Sequence, residues 1–300
     1  MAKSMNFFGQ KSGSTKSLTF QIRDGKQIVK DRVWKVRNPR SEFQMAQRCR
    51  VATAAQAYRA MREIVDHSFE GMSGKSKNYA RFQKLALLAM GANPSNFSYA
   101  PWGDKEFRPG AYVMSEGSMN ALEAWTPEVS GNNLILKSNV TGGTATEKGI
   151  CDALGLQQIG DMVTVCYIVP SEVSGYVFGF IRITLTGVPS SSVLAADSAL
   201  SCVAYYAPTN TKFENLKYTA TIANVHFVIT AIPNGYLTPG AAYVGTCAIN
   251  SRKVNDGYVY SPAQIVMGSG WNSSPDFATA VATYPTGESY VLQGGGGSVQ

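Results

Sequence analysis

LTFQIRDGKQIVKDRVWKVRNPRSEFQMAQRCRVATAAQAYRAMREIVDHSFE, residues 18–70, holds the signals that decide the fold. Leu18, Phe20 and Ile22 alternate with Thr19, Gln21 and Arg23, the period of a strand with one apolar face. Asp24-Gly25 follows, and Lys26-Gln27-Ile28-Val29 resumes the extended pattern. Asp-Gly between two such runs predicts a hairpin closed by a type I′ turn, whose central residues both need positive φ. Asn38-Pro39 bars helix at Asn38, because the proline ring disfavours the α conformation in the residue before it. Ser41 and Gln44 form an S-x-x-Q capping box, which predicts a helix starting just beyond Ser41. On a helical wheel Val51, Ala54, Ala57, Tyr58, Met61, Ile64 and Val65 share one broad face. Arg48, Arg59 and Arg62 gather within about 60° beside that face. Arg50 falls on the apolar side and must snorkel or find a partner.

Downstream, Gly71 and Gly74 break the helix, and NYARFQKLALLAMG, residues 78–91, predicts a second one. Its stripe is Tyr79, Phe82, Leu85, Ala86 and Ala89, with Arg81 and Lys84 on the polar side. Two helices joined by a short Gly/Ser/Lys loop read as an αα-hairpin whose apolar faces pack together against the β-hairpin. Upstream, residues 1–16 are Ser/Gly/Lys-rich without periodicity and read as a flexible basic arm.

Residues 92–110 carry Pro94, Pro101 and Pro109 and little pattern, so the domain boundary is expected there. Beyond it, β-type runs recur at 111–114, 133–140, 162–169, 175–185, 200–206, 218–222, 225–232, 243–250, 258–266, 278–284 and 290–292. Prolines fall mostly between these runs, where they do no damage to a ladder. The segment VTVCYIVPSEVSGYVFGFIRI is echoed weakly by VHFVITAIPNGYLTPGAAYVGTCAI, which leaves two stacked Ig-like modules as an alternative to one domain. The chain therefore reads as α+β: an N-terminal β-hairpin plus αα-hairpin, then a mainly antiparallel β-sandwich or jelly-roll-like domain. The expected divisions are a basic arm 1–16, a basic hairpin-helix-helix domain 17–108, a β-sandwich domain 109–293 and a flexible tail 294–300.

Charge is divided unevenly. Residues 1–108 hold 20 Lys/Arg against 8 Asp/Glu, a net +12, whereas residues 109–300 hold 7 against 12, a net −5. A basic front implies an anionic partner or an exposed solubilising region. Cys49, Cys151, Cys166, Cys202 and Cys247 are scattered and lack C-x-x-C spacing, which argues against a disulfide framework or a zinc site. His67 and His226 are the only histidines, too few for a histidine-rich metal centre. No apolar run approaches 18 residues, so no membrane span is expected, and the first residues lack the apolar core of a secretory signal.

No nucleophile elbow, P-loop, dinucleotide fingerprint or metalloprotease motif occurs. The carboxylates Asp152 with Asp161, or Glu116 with Glu123, have no spacing that a strand or helix would bring together, and read as surface solvation. His226 sits in an apolar run and reads as a core or sheet-face residue. The remaining candidate surface for nucleic-acid or subunit contact is Lys26, Lys30, Arg32, Lys35, Arg37 and Arg40 with Trp34 interleaved, continued by Arg48, Arg59 and Arg62. Cations on an extended ribbon suit phosphates, and a tryptophan can stack on a base or plug the core beneath a helix.

Asn38 to Arg48 reads N-P-R-S-x-x-Q-M-A-Q-R, follows a hairpin, and precedes KSKNYARFQKLAL, residues 75–87, and YVGTCAINSRKVNDGYVYSP, residues 243–262. This pattern resembles an uncharacterised family common in Bacteroidetes bacteria and their phages and mobile elements, where the helix start reads N-P-R-[ST]-x-x-Q-x-x-Q-R. The likeness covers residues 18–90, with Ser41 keeping a capping hydroxyl, and implies no particular activity. Together these features lead to the expectation of a non-enzymatic structural protein without cofactor or metal. It would be a phage or virus coat or virion component, made in the cytoplasm and carried into the virion. Its expected partners are copies of itself, other virion proteins, or nucleic acid through residues 1–108. The alternative is a cytoplasmic nucleic-acid-binding protein whose β-sandwich domain binds a partner.

Overall fold

The alternation of residues 18–31 becomes a β-ladder in the computed structural model, which describes residues 3–4, 11–14, 16–23, 26–32, 37–38, 40–122, 125–131, 133–138, 146–172, 175–191, 199–206, 211–213, 216–220, 225–229, 237–238, 243–255, 257–263, 265–268, 270–285 and 290–291. The chain divides into two units, Met1–Gln44 with Pro285–Gln300, and Met45–Tyr284.

In the first unit β1 (Lys3–Ser4), β2 (Lys11–Ser14), β3 (Leu18–Arg23) and β4 (Lys26–Asp31) form one antiparallel sheet in the order β1-β2-β3-β4. Pairing of Arg23 with Lys26 leaves two residues to connect β3 and β4, as a hairpin requires; the turn itself, residues 24 and 25, lies outside the described residues. The Arg32 N–H donates to Ser17 O at 2.7 Å and closes the open end of the hairpin. Because cross-strand partners share a face, Leu18 and Phe20 lie with Val29, while Thr19 lies with Lys30 and Gln21 with Ile28. Residues 3–4 and 11–14, expected to belong to a patternless arm, instead add two strands beside β3. A backbone ladder needs no apolar period, so a Ser/Gly/Lys sequence joins it without announcing itself. The tail 294–300 lies outside the described residues.

β5 (Arg37–Asn38) pairs antiparallel with Tyr290–Val291, so both ends of the sequence meet in this unit. Asn38 is extended, as its proline neighbour demands. The Ser41 Oγ accepts from the Gln44 N–H at 3.4 Å. The other half of the capping box is missing, since Gln44 Oε1 is buried without a hydrogen-bond partner.

α1 (Glu42–Val65) and α2 (Lys75–Ala92) are the two expected helices, α2 starting three residues earlier than the sequence pattern placed it. Gly71 and Gly74, both at positive φ, make the connection. Ala54, Ala57, Met61, Ile64 and Val65 of the expected α1 face are buried, and Met45, Cys49, Thr53 and Gln56 extend it. Tyr58 packs against Tyr79 and Phe82 of α2, ring centroids 4.5 and 6.2 Å apart.

The main sheet of the second unit runs β11 (Thr211–Phe213), β10 (Leu200–Tyr206), β9 (Gly175–Leu185), β8 (Met162–Ser171), β14 (Gly245–Val254) and β15 (Gly257–Tyr260), with β16 (Val266–Met267) also on β14. A second sheet runs β12 (Leu216–Ala220), β13 (Val225–Ile229), β7 (Asn133–Ser138) and β6 (Trp125–Ser130). Every strand pair is antiparallel.

β8 is buried on both faces, which explains why its sequence is apolar apart from Thr164 and the final Ser171. Cys166 and Ile168, with Phe178, Phe180, Cys247 and Ile249 of neighbouring strands, join the helices in one core. Val163, Val165 and Tyr167 point into a second core with Trp125, Leu134 and Leu136 of β6 and β7 and with α3 (Glu147–Ala153). The expected division at residue 109 thus falls inside this unit, where residues from both sides of it share the first core.

Three local expectations change. Residues 278–284 are not a strand: α4 (Phe277–Ala282) is capped by Asp276, whose Oδ1 accepts from the Thr279 N–H at 2.7 Å. Phe277, Ala280, Val281 and Tyr284 turn inward at helical spacing. Residues 111–114 form no strand and are held by isolated bridges at Gly110 and Ser115. The echoed halves also part company, since β13 pairs β7 and β12 in the second sheet while β14 joins β8 in the first.

Candidate functional site

The residues expected to form one basic surface fall into two groups. Lys26 and Lys30 stand on β4, Arg32 follows it, Arg37 is in β5, and Arg40, half-buried at a φ of 38°, precedes α1. These belong to the first unit; Trp34 and Lys35 lie outside the described residues. Arg48, Arg59 and Arg62 all stand on α1 in the second unit. Arg59 is exposed and Arg48 half-buried. Arg62 is held by Asp66, its Nε 3.3 Å from Oδ2, and Tyr58 donates its hydroxyl to the same carboxylate at 2.6 Å. Part of the expected cationic stripe is therefore neutralised within its own helix end.

The carboxylates set aside on sequence spacing have structural work. Asp161 is 1% exposed, not a solvated surface group: its Oδ2 accepts from the N–H groups of Gln157 and Gln158 and lies 3.2 Å from the Arg252 guanidinium. Glu116 takes a two-bond clasp from Arg81 at 2.6 and 3.0 Å. Glu123 and the side chain of His226 lie outside the described residues.

A different cluster stands where α1 ends above the main sheet. On the helix-facing side of that sheet Arg182 of β9 is paired in register with Thr164 of β8, and Thr164 with Ile249 of β14. One row further, Met162 pairs with Ser251, and Ser251 with Tyr260 of β15. Helix cover stops at Ile64, so this polar corner of the sheet borders a cavity of about 280 Å³ that also touches His67 and Tyr258. An adjoining cleft of about 560 Å³ shares His67, Tyr258 and Tyr260 and runs along the α1–α2 loop.

The electrostatics of the cavity are one-sided. Arg182 reaches across the ring of Phe180, 5.4 Å from its centroid, and its Nε is buried with no hydrogen-bond partner. Among the described residues no carboxylate lines the cavity. The acidic side chains of the adjoining cleft are committed elsewhere: Asp66 to Tyr58 and Arg62, and Glu70 to the N–H and hydroxyl of Ser118. Those Ser118 bonds hold the Glu70 carboxyl below its ordinary value. Burial raises the Tyr260 phenol, and Tyr258 adds to this, while Arg182 pulls in the opposite direction. Sequence reading passed over Arg182 because a single arginine in GYVFGFIRITL carries no motif. The available signal was its position between Phe180 and Thr184 on one face of a strand whose other face is wholly apolar.

Among the described residues no group of three His, Cys, Asp or Glu is placed to hold a metal ion, and no helix is long and apolar enough to cross a membrane. No family model, curated protein or solved structure matches the chain.

Proposed function

We propose that this chain is a non-enzymatic structural protein that assembles into a particle, as a phage or virus coat or virion component does, produced in the cytoplasm and then incorporated. The observation that carries the reading is the two-faced sheet of the first unit. One face groups half-exposed Leu18 and Phe20 with Val29, 51% exposed, flanked by Gln27 and Asp31, and among the described residues β4 is an edge strand carrying Lys26 and Lys30. A partly exposed apolar strip beside such an edge is a surface that association would cover. The excess of positive charge before residue 109 supports an anionic neighbour, either nucleic acid or the acidic remainder of another copy. The resemblance over residues 18–90 fits a phage setting. For residues 109–293 we infer a β-sandwich arrangement, a reading supported by the core shared between β8–β9 and β6–β7.

Sedimentation and electron microscopy of the purified full chain test this reading. Oligomers or particles are expected, and a strictly monomeric protein at high concentration would overturn it. The second reading, a cytoplasmic nucleic-acid-binding protein with a partner-binding sandwich, rests on the same charge division. It requires the full chain to bind nucleic acid with an affinity that falls steeply with salt, since each phosphate contact releases counterions.

A further inference from the structure

We propose that the cavity at the end of α1 is a binding site for a small organic oxyanion, a phosphate monoester or a carboxylate, whose charged group is held by Arg182. The inference is independent of particle assembly and rests on the second unit alone.

A guanidinium loses stability when it leaves water, unless an anion or acceptor oxygens compensate it. Four of the eight arginines in this unit, Arg62, Arg81, Arg108 and Arg252, each reach a carboxylate. Arg182 does not. Half-buried, it lies against the face of Phe180, and among the described residues its buried Nε has no hydrogen-bond partner. The cavity beside it is bordered by groups able to donate a hydrogen bond to an oxyanion, Thr164, Ser251, Tyr258, Tyr260 and His67.

The sheet supplies the rigidity such a site needs. Arg182 and Thr164 are direct cross-strand partners, the third pair from one end of the β8–β9 ladder, and Ser251 and Tyr260 form the next row. Side chains anchored on paired strands hold their relative positions better than loop residues do. The planar fork of arginine matches the two oxygens of a carboxylate or phosphate, which a lysine ammonium does not. At about 280 Å³ the space is near the lower end of small-molecule sites, roughly 300–1,000 Å³. The tilted ring pair Tyr258 and Tyr260, centroids 6.3 Å apart, borders the space together with Ile64 and offers an apolar or aromatic wall to the rest of the ligand.

Titration calorimetry of the full chain at constant ionic strength, with inorganic phosphate, phenyl phosphate and benzoate as probes, tests the assignment. Saturable binding of at least one probe is expected, with phenyl phosphate against benzoate deciding which oxyanion the fork prefers. Arg182→Met keeps the stem and every other charge of this basic protein, and it is expected to weaken binding about tenfold to a hundredfold. Arg182→Lys should fall between the two. Equal affinity in Arg182→Met, or no saturable binding of any probe, would overturn the proposal. Thr164→Asp provides a second line, because a carboxylate on the facing strand supplies the missing anion from within. This variant should abolish probe binding and melt at a higher temperature than wild type; if it folds and still binds the probes, the assignment is wrong.

Discussion

The Arg50 guanidinium lies over the ring of Phe277, 4.5 Å from its centroid. The contact ties α1 to α4 across more than two hundred residues of sequence, and it answers the problem posed by an arginine on the apolar side of a helix. An aromatic face accepts a cation while costing little of its hydration.

Replacing Phe277 with leucine keeps an apolar side chain but removes the quadrupole, and should destabilise the fold by about 1 kcal/mol. Arg50→Met should do the same, and the double variant should cost less than the sum. Urea denaturation of the four proteins gives the coupling. Strict additivity would show that the ring is only a hydrophobic neighbour.

Thr53 is the second link between α1 and the segment after α2. Its Oγ1 donates to Cys49 O at 2.9 Å and accepts from the Ala100 N–H at 2.9 Å, all of it buried. Thr53→Val preserves shape but strands a backbone N–H, and should cost roughly 1–3 kcal/mol. Thr53→Ser keeps the oxygen and should cost less than half as much. Equal losses in both variants would mean that the methyl group contributes to the joint as much as the hydroxyl does.

Gly179 faces Tyr167 across the β8–β9 ladder, and a Cβ at this position would overlap the tyrosine ring. The ring lies over the glycine and sends its hydroxyl to Tyr205 O at 3.2 Å. Gly179→Ala should therefore displace Tyr167 and lower stability by roughly 1–3 kcal/mol, despite alanine's lower unfolded-state entropy. The combined Gly179→Ala, Tyr167→Phe protein should recover little, since the clash involves ring carbons as well as the hydroxyl. A melting temperature unchanged by Gly179→Ala would contradict this packing.

The two helices, the β3–β4 hairpin and the extended Asn38 were legible because each is specified within a few residues by period, turn or proline. β8, β9, β10 and β14 of the main sheet were legible for the same reason, whereas β11 matched no expected run and the expected run 258–266 divides into β15 and β16. What escaped depends on distant partners. β6 contains Pro127, tolerated because β6 is the edge of its sheet, a fact no local pattern reveals. α3 is only seven residues long, started by Thr146 accepting from the Gly149 N–H at 3.2 Å. α4 hid its Asp276 cap behind alternating alanines that mimic a strand. The same limit applies to the candidate site: Arg182, Ser251 and Tyr260 are far apart in sequence, and only the register of β9, β8, β14 and β15 gathers them.

Buried thiols and phenols set the response to alkali. Burial pushes the Cys49 thiol from its ordinary 9.0 to about 11 against the opposing pull of Arg50, Cys151 to about 11 and Cys202 to about 12. Cys247 is raised as well, by burial and by its neighbour Cys166. Tyr58, Tyr99 and Tyr284 are each raised from 10.0 to about 12, burial being the largest cause in all three. Each of these groups is neutral when protonated, and folding favours that form. Below the unfolded-state values both states hold the proton and stability does not change with pH. Once the unfolded thiols ionise, the folded state holds more protons, so stability falls as pH rises from about 9 toward 11, by roughly 1 kcal/mol per pH unit for each fully shifted thiol. The urea midpoint should therefore be flat between about pH 7 and 8.5 and decline steeply by about pH 10.5. Thiol-reactive reagents should label Cys49, Cys151 and Cys247 slowly at neutral pH and rapidly once the chain unfolds, because the buried groups are not thiolates. A midpoint that holds steady through pH 10.5, or labelling as fast in the folded protein as in urea, would show that these side chains are open to water.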